Sequence, residues 1–257
     1  MTVLATTVRQ FRYENRAFWR NPAAAFFTFI FPLFFLFLFP LIFGEAEVTV
    51  GGYTVDGATF YVPAIGVFAI VTASYTNTAM SLVFARDEGV LKRKRGTPLE
   101  PSAYMGGRVL QAMFMALVMT AITVVVGVFV HGVEVPDNTL LAFVVTVALG
   151  AASFCALGIA ITGLVPNVDA GAPIINATVL PLMFLSDVFL PADNLPDWLR
   201  SVSEIFPIYH FSQAMLTSFN PFETGSGFEW DHLGIVCAWG VAGVLVALKT
   251  FTWEPRR

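Results

Sequence analysis

The chain has 257 residues, of which 56% are hydrophobic, only 12% are charged and 26 are phenylalanine. This apolar content exceeds what a soluble domain of that size needs for its core, so the composition excludes an ordinary soluble domain and indicates a membrane protein. The formal net charge of −4 is a sum over basic and acidic segments that lie apart in the sequence. It implies no nucleic-acid partner.

Residues 3–20 are predicted to form an amphipathic helix. With about 100° of rotation per residue, one face carries four arginines and the opposite face is apolar. The arginines are Arg9, Arg12, Arg16 and Arg20, and the apolar residues are Leu4, Val8, Phe11, Phe18 and Trp19. Such a helix lies in the membrane interface. The alternative is an ordinary basic flank of the first span, whereas a signal peptide is disfavoured because no small-residue cleavage site follows.

Six apolar stretches are long enough to cross a bilayer, since a helical span needs about 20 residues. They are residues 23–43, 59–84, 109–131, 139–164, 172–190 and 232–253. The alternation of a barrel strand is absent from them, so helices are predicted. We therefore expect residues 1–257 to form a single domain, an all-α membrane protein with six transmembrane helices.

The charges predict the topology of these spans. All but one of the 14 Lys and Arg residues lie in three segments. These are Arg9 to Arg20; Arg86, Lys92, Arg93, Lys94, Arg95 and Arg108; and Lys249, Arg256 and Arg257. Because cations are retained on the cytoplasmic side, both termini are predicted to be cytoplasmic. The mainly acidic loops 44–58, 132–138 and 191–231 are predicted to face outside.

The most specific segment is the basic loop between the second and third spans. It opens with Glu88 and Gly89, continues through Leu91 and Arg93, and breaks at Gly96-Thr97-Pro98. This order predicts a short helix that protrudes from the bilayer and docks on another protein. The alternative is a solvated positive-inside loop.

Within the spans, the polar residues Thr72, Tyr75, Asn77 and Asn176 are candidates for lining a transport pathway. They are neutral, and hydrogen bonding between helices is the favoured explanation for them. The cysteines Cys155 and Cys237 are predicted to be free thiols, and no metal site is inferred because His131, His210 and His232 are far apart in sequence.

A second motif follows the fifth predicted span. It consists of Leu180–Pro191, then Asn194–Leu199, then Phe206–His210. Together with the Glu88–Pro98 loop and six spans, this pattern resembles the membrane subunit of ABC-2 type ABC transporters, found in bacterial and archaeal cell membranes. That family has an acidic residue, Gly and Leu before a Thr-Pro in its first cytoplasmic loop. The matching residues are Glu88, Gly89, Leu91, Thr97 and Pro98.

The resemblance implies a division of labour. The loop with Glu88, Arg93 and Thr97 would be a coupling helix seated on a separate ATPase subunit, present in two copies, with the interfacial helix beside it. That partner would bind ATP and Mg, since this chain has no G-x-x-x-x-G-K-[ST] motif. A second permease chain, identical or related, would complete the complex within the membrane lipids.

The resemblance also implies an outer gate formed by the fifth span and by short re-entrant helices after it, at about 193–219. The residues assigned to it are Ser186, Asp187, Pro191, Leu195, Pro196, Trp198 and Pro207. The alternative is an extracellular loop with short surface helices. The expected activity is outward movement of a hydrophobic or amphipathic compound, such as a drug, lipid or glycan-linked lipid, by alternating access.

Two other classes stay open from the residues alone. An ion-coupled secondary transporter would be expected to place ionisable groups at the membrane midplane, and the predicted spans have none there. An intramembrane hydrolase would use Ser186 with His210, although no G-x-S-x-G surrounds that serine.

Overall fold

A computed structural model describes residues 2–43, 47–50, 53–186, 188–189 and 196–254. These residues form eleven α-helices, a π-helical segment and a β-hairpin. In chain order the elements are α1 (Val3–Trp19), α2 (Pro22–Phe43), β1 (Glu47–Val50), β2 (Tyr53–Asp56), α3 (Gly57–Val71), the π-helical segment (Thr72–Thr76), α4 (Asn77–Asp87), α5 (Val90–Arg95), α6 (Pro101–His131), α7 (Leu140–Ile161), α8 (Val168–Phe184), α9 (Asp197–Ser203), α10 (Pro207–Ser218) and α11 (Trp230–Thr250). The predicted all-α membrane class is confirmed.

Within the described residues, five helical stretches are long and apolar enough to cross a membrane. They are Pro22–Ile42, Gly57–Asp87, Pro101–His131, Leu140–Ile161 and Trp230–Thr250. The predicted span at 172–190 corresponds to α8, which has only 17 residues, so the count of six is not confirmed. This helix begins earlier than predicted because the Asn167 side chain accepts a hydrogen bond from the Ala170 N–H (3.0 Å) and caps it. It ends at Phe184, and a turn closed by the Val188 N–H and Ser186 carbonyl (2.7 Å) follows.

The second span, which runs from α3 through the π-helical segment into α4, lies at the centre of the bundle. Every residue of α3 except Thr59 is buried. Helix α7 packs closely on the π-helical segment, because a Cβ at Gly158 would lie only 2.6 Å from the carbonyl oxygen of Tyr75. Helices α2 and α11 have mostly exposed apolar side chains, as expected of helices that face lipid.

The bundle has two chemically different ends. The end that carries α1, α5, the α7–α8 loop and the last turn of α11 is called the basic end below. The opposite end carries the hairpin, whose strands pair antiparallel with Glu47 opposite Asp56, the α6–α7 loop and the start of α11; it is called the acidic end. Helix α6 has 31 residues, or about 46 Å, and therefore extends beyond a hydrocarbon core of about 30 Å.

Helix α10 is buried inside the bundle and does not cross it. It packs against α3, α7 and α11. Its Phe211 ring lies 5.4 Å from that of Phe154 and rests against Gly150, at the middle of α7, where a Cβ would overlap the ring. Helix α10, which has only 12 residues, therefore places the Phe211 ring at the middle of the spanning helix α7. The first part of the re-entrant range predicted at 193–219 lies outside the described residues.

Candidate functional site

The loop after α4 folds as a short helix held between two turns. Glu88 ends α4, and Gly89 has φ = +70°, a left-handed conformation that side-chain-bearing residues adopt at a cost. Helix α5 then runs for six residues, Val90–Arg95. Beyond it, the Thr97 hydroxyl donates a hydrogen bond to the Lys94 carbonyl (2.6 Å), and α6 begins with Pro101 at its first position.

Among the residues of this loop that the family motif predicts, Leu91 points inward and most of the others are exposed. Leu91 is 0% exposed and packs in a cluster with Leu82, Tyr104 and Ile159. The remaining predicted residues of the loop are at the surface, except for Gly89, which is half-buried. The exposed ones are Glu88, Arg93, Thr97 and Pro98. Leu91 therefore anchors α5 on the bundle and leaves a polar surface that is free for a partner.

A buried ionic cluster joins α5 to α1 and α6. The Glu14 carboxylate lies 3.1 Å from Nη2 of Arg108 and 3.0 Å from Nζ of Lys94, and it accepts a hydrogen bond from Gln10 (2.6 Å). Arg108 also donates to Tyr104 Oη (3.0 Å), and Lys94 lies 4.5 Å above the centroid of the Tyr104 ring. The cluster thus joins side chains from all three elements.

The charge of Glu14 is stabilised by its partners. Burial alone would raise the pKa of this carboxyl, but Arg108 and then Lys94 outweigh burial, so the pKa of Glu14 lies below its ordinary value of 4.5. The carboxylate is therefore ionised at neutral pH. A buried ion pair of this kind fixes geometry because losing either partner leaves an uncompensated charge.

Helix α1 presents three different faces. Its predicted arginine face is exposed, and so are the apolar residues Leu4 (73%) and Trp19 (52%). The buried face consists of Gln10 and Glu14. This face packs against α6 at Gly107, where a Cβ would lie 2.8 Å from the Gln10 side chain. An apolar face left exposed beside an arginine face is what an interfacial helix requires.

A second buried cation joins α4 to the α7–α8 loop. The Arg86 guanidinium is nearly inaccessible and donates to the carbonyls of Thr162 (3.1 Å), Val165 (2.7 Å) and Pro166 (3.2 Å). Next to it, the Asp87 carboxylate accepts a hydrogen bond from the Val168 N–H (2.8 Å), the first residue of α8. The end of α4 and the start of α8 are therefore tied directly to the residues that precede α5.

At the acidic end, the predicted gate residues are dispersed. Asp187, Pro191 and Leu195 lie outside the described residues. Pro196 and Trp198 are exposed, whereas Pro207 is buried at the first position of α10.

The same end does not bring together the serine and histidine of a hydrolase. The Ser186 hydroxyl donates to the Met183 carbonyl (3.2 Å). The Nδ1 atom of His210 lies 2.7 Å from Nδ1 of His232, and its Nε2 lies 2.7 Å from the Glu204 carbonyl. Both ring nitrogens of His210 are thus engaged with groups other than Ser186.

Among the described residues, no group of His, Cys, Asp and Glu is arranged to hold a metal ion.

The candidate pathway residues separate into two groups. Tyr75 and Asn77 make hydrogen bonds between helices, to Thr178 of α8 (2.7 Å) and to Thr28 of α2 (2.7 Å). Thr72 is half-buried at the start of the π-helical segment, and Asn176 is exposed halfway along α8. An amide on the outer face of an apolar helix indicates that this face meets something other than hydrocarbon.

These observations define a multi-pass membrane protein whose short basic helix, α5, is anchored at one end of the bundle. The family model described as ABC-2 type transporter matches residues 4–220. The chain belongs to this family, and the resemblance inferred from its motifs is confirmed. Permeases of this family lie in the plasma membrane and work with an ATPase subunit.

Individual relatives are permeases as well. The chain is 26% identical over its full length to the daunorubicin resistance ABC transporter permease protein DrrB1 of Streptomyces coeruleorubidus, covering 87% of that protein. It is 23% identical to the putative transport permease YvfS of Bacillus subtilis over 59% of the chain and 61% of the relative. It is also 23% identical to the probable multidrug ABC transporter permease YbhR of Escherichia coli, over 60% of the chain and 41% of the relative. The chain thus spans about half the length of the last two proteins.

Proposed function

We propose that this chain is the permease subunit of an ATP-driven exporter and that α5 transmits the motion of a separate ATPase subunit to the bundle. ATP and Mg would be bound by that partner. The observation that carries the proposal is the combination of an exposed polar surface on the α5 loop, formed by Glu88, Arg93, Thr97 and Pro98, with a buried anchor at Leu91.

The connections of α5 support this role. A push on α5 acts on α1 and α6 through the Glu14–Arg108–Lys94 cluster. It acts on α4 directly, and on the α7–α8 loop through Arg86. Elements linked by packed side chains and buried ion pairs move as rigid bodies, and rigid-body switching between two arrangements is how alternating access works.

The proposal includes orientation and assembly. The basic end faces the cytoplasm, with both termini there, because cations are retained on that side. Helix α8 serves as a sixth, short span, and its exposed Asn176 faces a second permease chain, identical or related, or the pathway between the two. Helix α10, with Pro207 at its start and Phe211 at the midpoint of α7, belongs to the outer gate.

The cargo is proposed to be hydrophobic or amphipathic and to move outward. The names of DrrB1 and YbhR, which refer to daunorubicin resistance and to multidrug transport, support a drug-like compound. Family membership favours this proposal over the ion-coupled carrier and over the hydrolase. Outward transport that needs ATP would separate it from the carrier, whereas movement that follows only a proton gradient would contradict it.

The decisive experiment is co-purification with the ATPase encoded nearest to this chain, followed by an ATPase assay in proteoliposomes. Arg93→Gln and Glu88→Gln are expected to lower binding or ATP turnover by about tenfold, a loss of about 1.4 kcal/mol. The matched control is Glu134→Gln, which removes the same charge from an exposed residue at the acidic end. If all three variants retain the ATPase and its turnover equally, α5 is not the coupling element.

A further inference from the structure

A cavity of about 720 Å³ lies beside α5, between α1 and the start of α2 on one side and α4 and α6 on the other. One part of its wall is mainly apolar and includes Phe18, Ala73, Met80, Phe84 and Met115. The other part is polar and includes Glu14, Glu88, Lys94, Arg108 and Gln111. The volume falls within the range of about 300–1,000 Å³ that holds small molecules.

The polar wall carries charges of both signs. Glu14 lies between Lys94 and Arg108, so these three side chains together carry one net positive charge. Glu88 forms no ion pair among the residues that the structure describes and supplies one negative charge. The lining is therefore neutral overall but dipolar. Gln111 is half-buried in the same wall, and within the described part of the chain its amide has no hydrogen-bond partner.

The depth of the cavity follows from α1. The exposed apolar residues Leu4, Val8 and Trp19 place this helix in the membrane interface. The cavity continues from this helix along α4, the π-helical segment and α6, up to Ala73 and Met115, and Asn77, Thr78 and Ser81 lie among the apolar residues of this wall. The charged part of the wall thus lies at headgroup depth. The deeper part, apolar apart from those three neutral side chains, lies at acyl-chain depth.

From this arrangement we infer that the cavity binds one zwitterionic phospholipid of the surrounding leaflet. The phosphate faces Lys94 and Arg108, the headgroup cation faces Glu88, and part of an acyl chain lies along Met80, Phe84 and Met115. An anionic lipid would leave Glu88 unmatched, and a simple cation would leave unmatched the single net positive charge of the Lys94–Glu14–Arg108 cluster. This inference goes beyond the proposed function, since it requires neither the ATPase nor a transported compound.

The test uses the purified full chain in nanodiscs that contain equal amounts of phosphatidylethanolamine and phosphatidylglycerol. The protein is then released from the nanodiscs, and the lipid that stays bound is measured by native mass spectrometry. Ala17→Trp places an indole in the cavity from an exposed position on α1. Ala5→Trp makes the same change at an exposed residue of α1 outside the cavity lining. The wild type and Ala5→Trp are expected to retain phosphatidylethanolamine preferentially, and Ala17→Trp is expected to retain at least about tenfold less.

Three results would overturn the inference. Equal retention by the two tryptophan variants would show that the cavity is not the binding site, and equal retention of phosphatidylglycerol would show that the dipolar lining does not select a headgroup. Recovery of a molecule other than a phospholipid from protein extracted from its native membrane would assign the cavity to a soluble amphiphile. As a second measurement, dodecylphosphocholine is expected to compete for the cavity better than dodecyl sulfate or dodecyltrimethylammonium, which have the same chain length. Thermal unfolding of Ala17→Trp in detergent verifies that it is folded.

Discussion

Glu14→Gln tests whether the buried ionic cluster fixes α1 and α5 to α6. The substitution keeps the shape of the side chain but leaves Arg108, whose side chain is 9% exposed, without its carboxylate. Removing one partner of a buried ion pair costs about 3–5 kcal/mol. Lys94 is 29% exposed, so water screens its interaction with Glu14. We set the contribution of this ion pair at about 1 kcal/mol, as for a surface pair. We therefore expect Glu14→Gln to lower the free energy of unfolding by about 3 kcal/mol, mostly because Arg108 loses its partner.

The assay is unfolding in mixed micelles, followed by tryptophan fluorescence, with Arg16→Gln as the control because it removes an exposed charge from the same helix. A double-mutant cycle of Glu14→Gln with Arg108→Gln should give a larger coupling energy than one with Lys94→Gln. A loss below about 1 kcal/mol for Glu14→Gln, the range of surface pairs, would refute the reasoning, as would a larger coupling to Lys94.

The same cluster predicts a dependence on pH. The pKa of Glu14 in the folded protein lies below its ordinary value of 4.5, so the unfolded chain takes up the proton first as the pH falls. The stabilisation is therefore complete above pH 4.5 and is lost as the pH decreases through the lower, folded-state pKa. Glu14→Gln should not show this loss of stability at low pH. An identical dependence of stability on pH in the variant and the wild type would show that Glu14 is not its source.

Three further tests address the local geometry; the glycine substitutions are measured by unfolding in detergent, and Arg86→Lys by the yield of folded protein. Gly89→Ala places a Cβ at φ = +70° and should lower the free energy of unfolding by about 1–2 kcal/mol. The control, Gly96→Ala at φ = −76°, should change it by less than about 0.5 kcal/mol. Equal effects of the two substitutions would count against the left-handed turn. Arg86→Lys keeps the charge but removes the guanidinium, which donates hydrogen bonds to three backbone carbonyls. The yield of folded protein should therefore fall. A normal yield would show that these hydrogen bonds are not needed for folding. Gly150→Ala overlaps the Phe211 ring and should cost about 1–3 kcal/mol, with recovery when Phe211→Leu is added; no recovery would place α10 elsewhere.

The sequence predicted the features that depend on local composition. The apolar runs predicted the five long helices, and the Gly89 and Gly96 breaks predicted the short helix between them. The start of α6 was predicted too late, at 109, because a hydropathy argument sees only the apolar part of a helix. Its first turns, from Pro101, are helical but lie beyond the apolar stretch.

The contacts that give the basic end its rigidity depend on distant residues. Glu14 was overlooked because it is a single acid among arginines, and its partners Lys94 and Arg108 lie on other elements. Arg86 was interpreted as one more cytoplasmic cation, although its partners are backbone carbonyls, which carry no sequence signal. An acidic residue placed on an otherwise basic interfacial helix is the one local sign that a buried partner exists.

Under the proposed coupling role of α5, the π-helical segment offers a route by which a push at α5 would reach the rest of the bundle. Thr72–Thr76 interrupts the central span, and π-helical turns within α-helices are weaker points of the hydrogen-bond ladder, often found at functional sites. On one side of this segment α4 is tied to α5 and, through Arg86, to the α7–α8 loop; on the other side α3 is buried against α10. The Tyr75 hydroxyl, bonded to Thr178 of α8, lies within the interruption itself. A rotation of α4 would thus be accommodated at this segment and passed to α8 through the Tyr75–Thr178 contact, without bending a continuous helix.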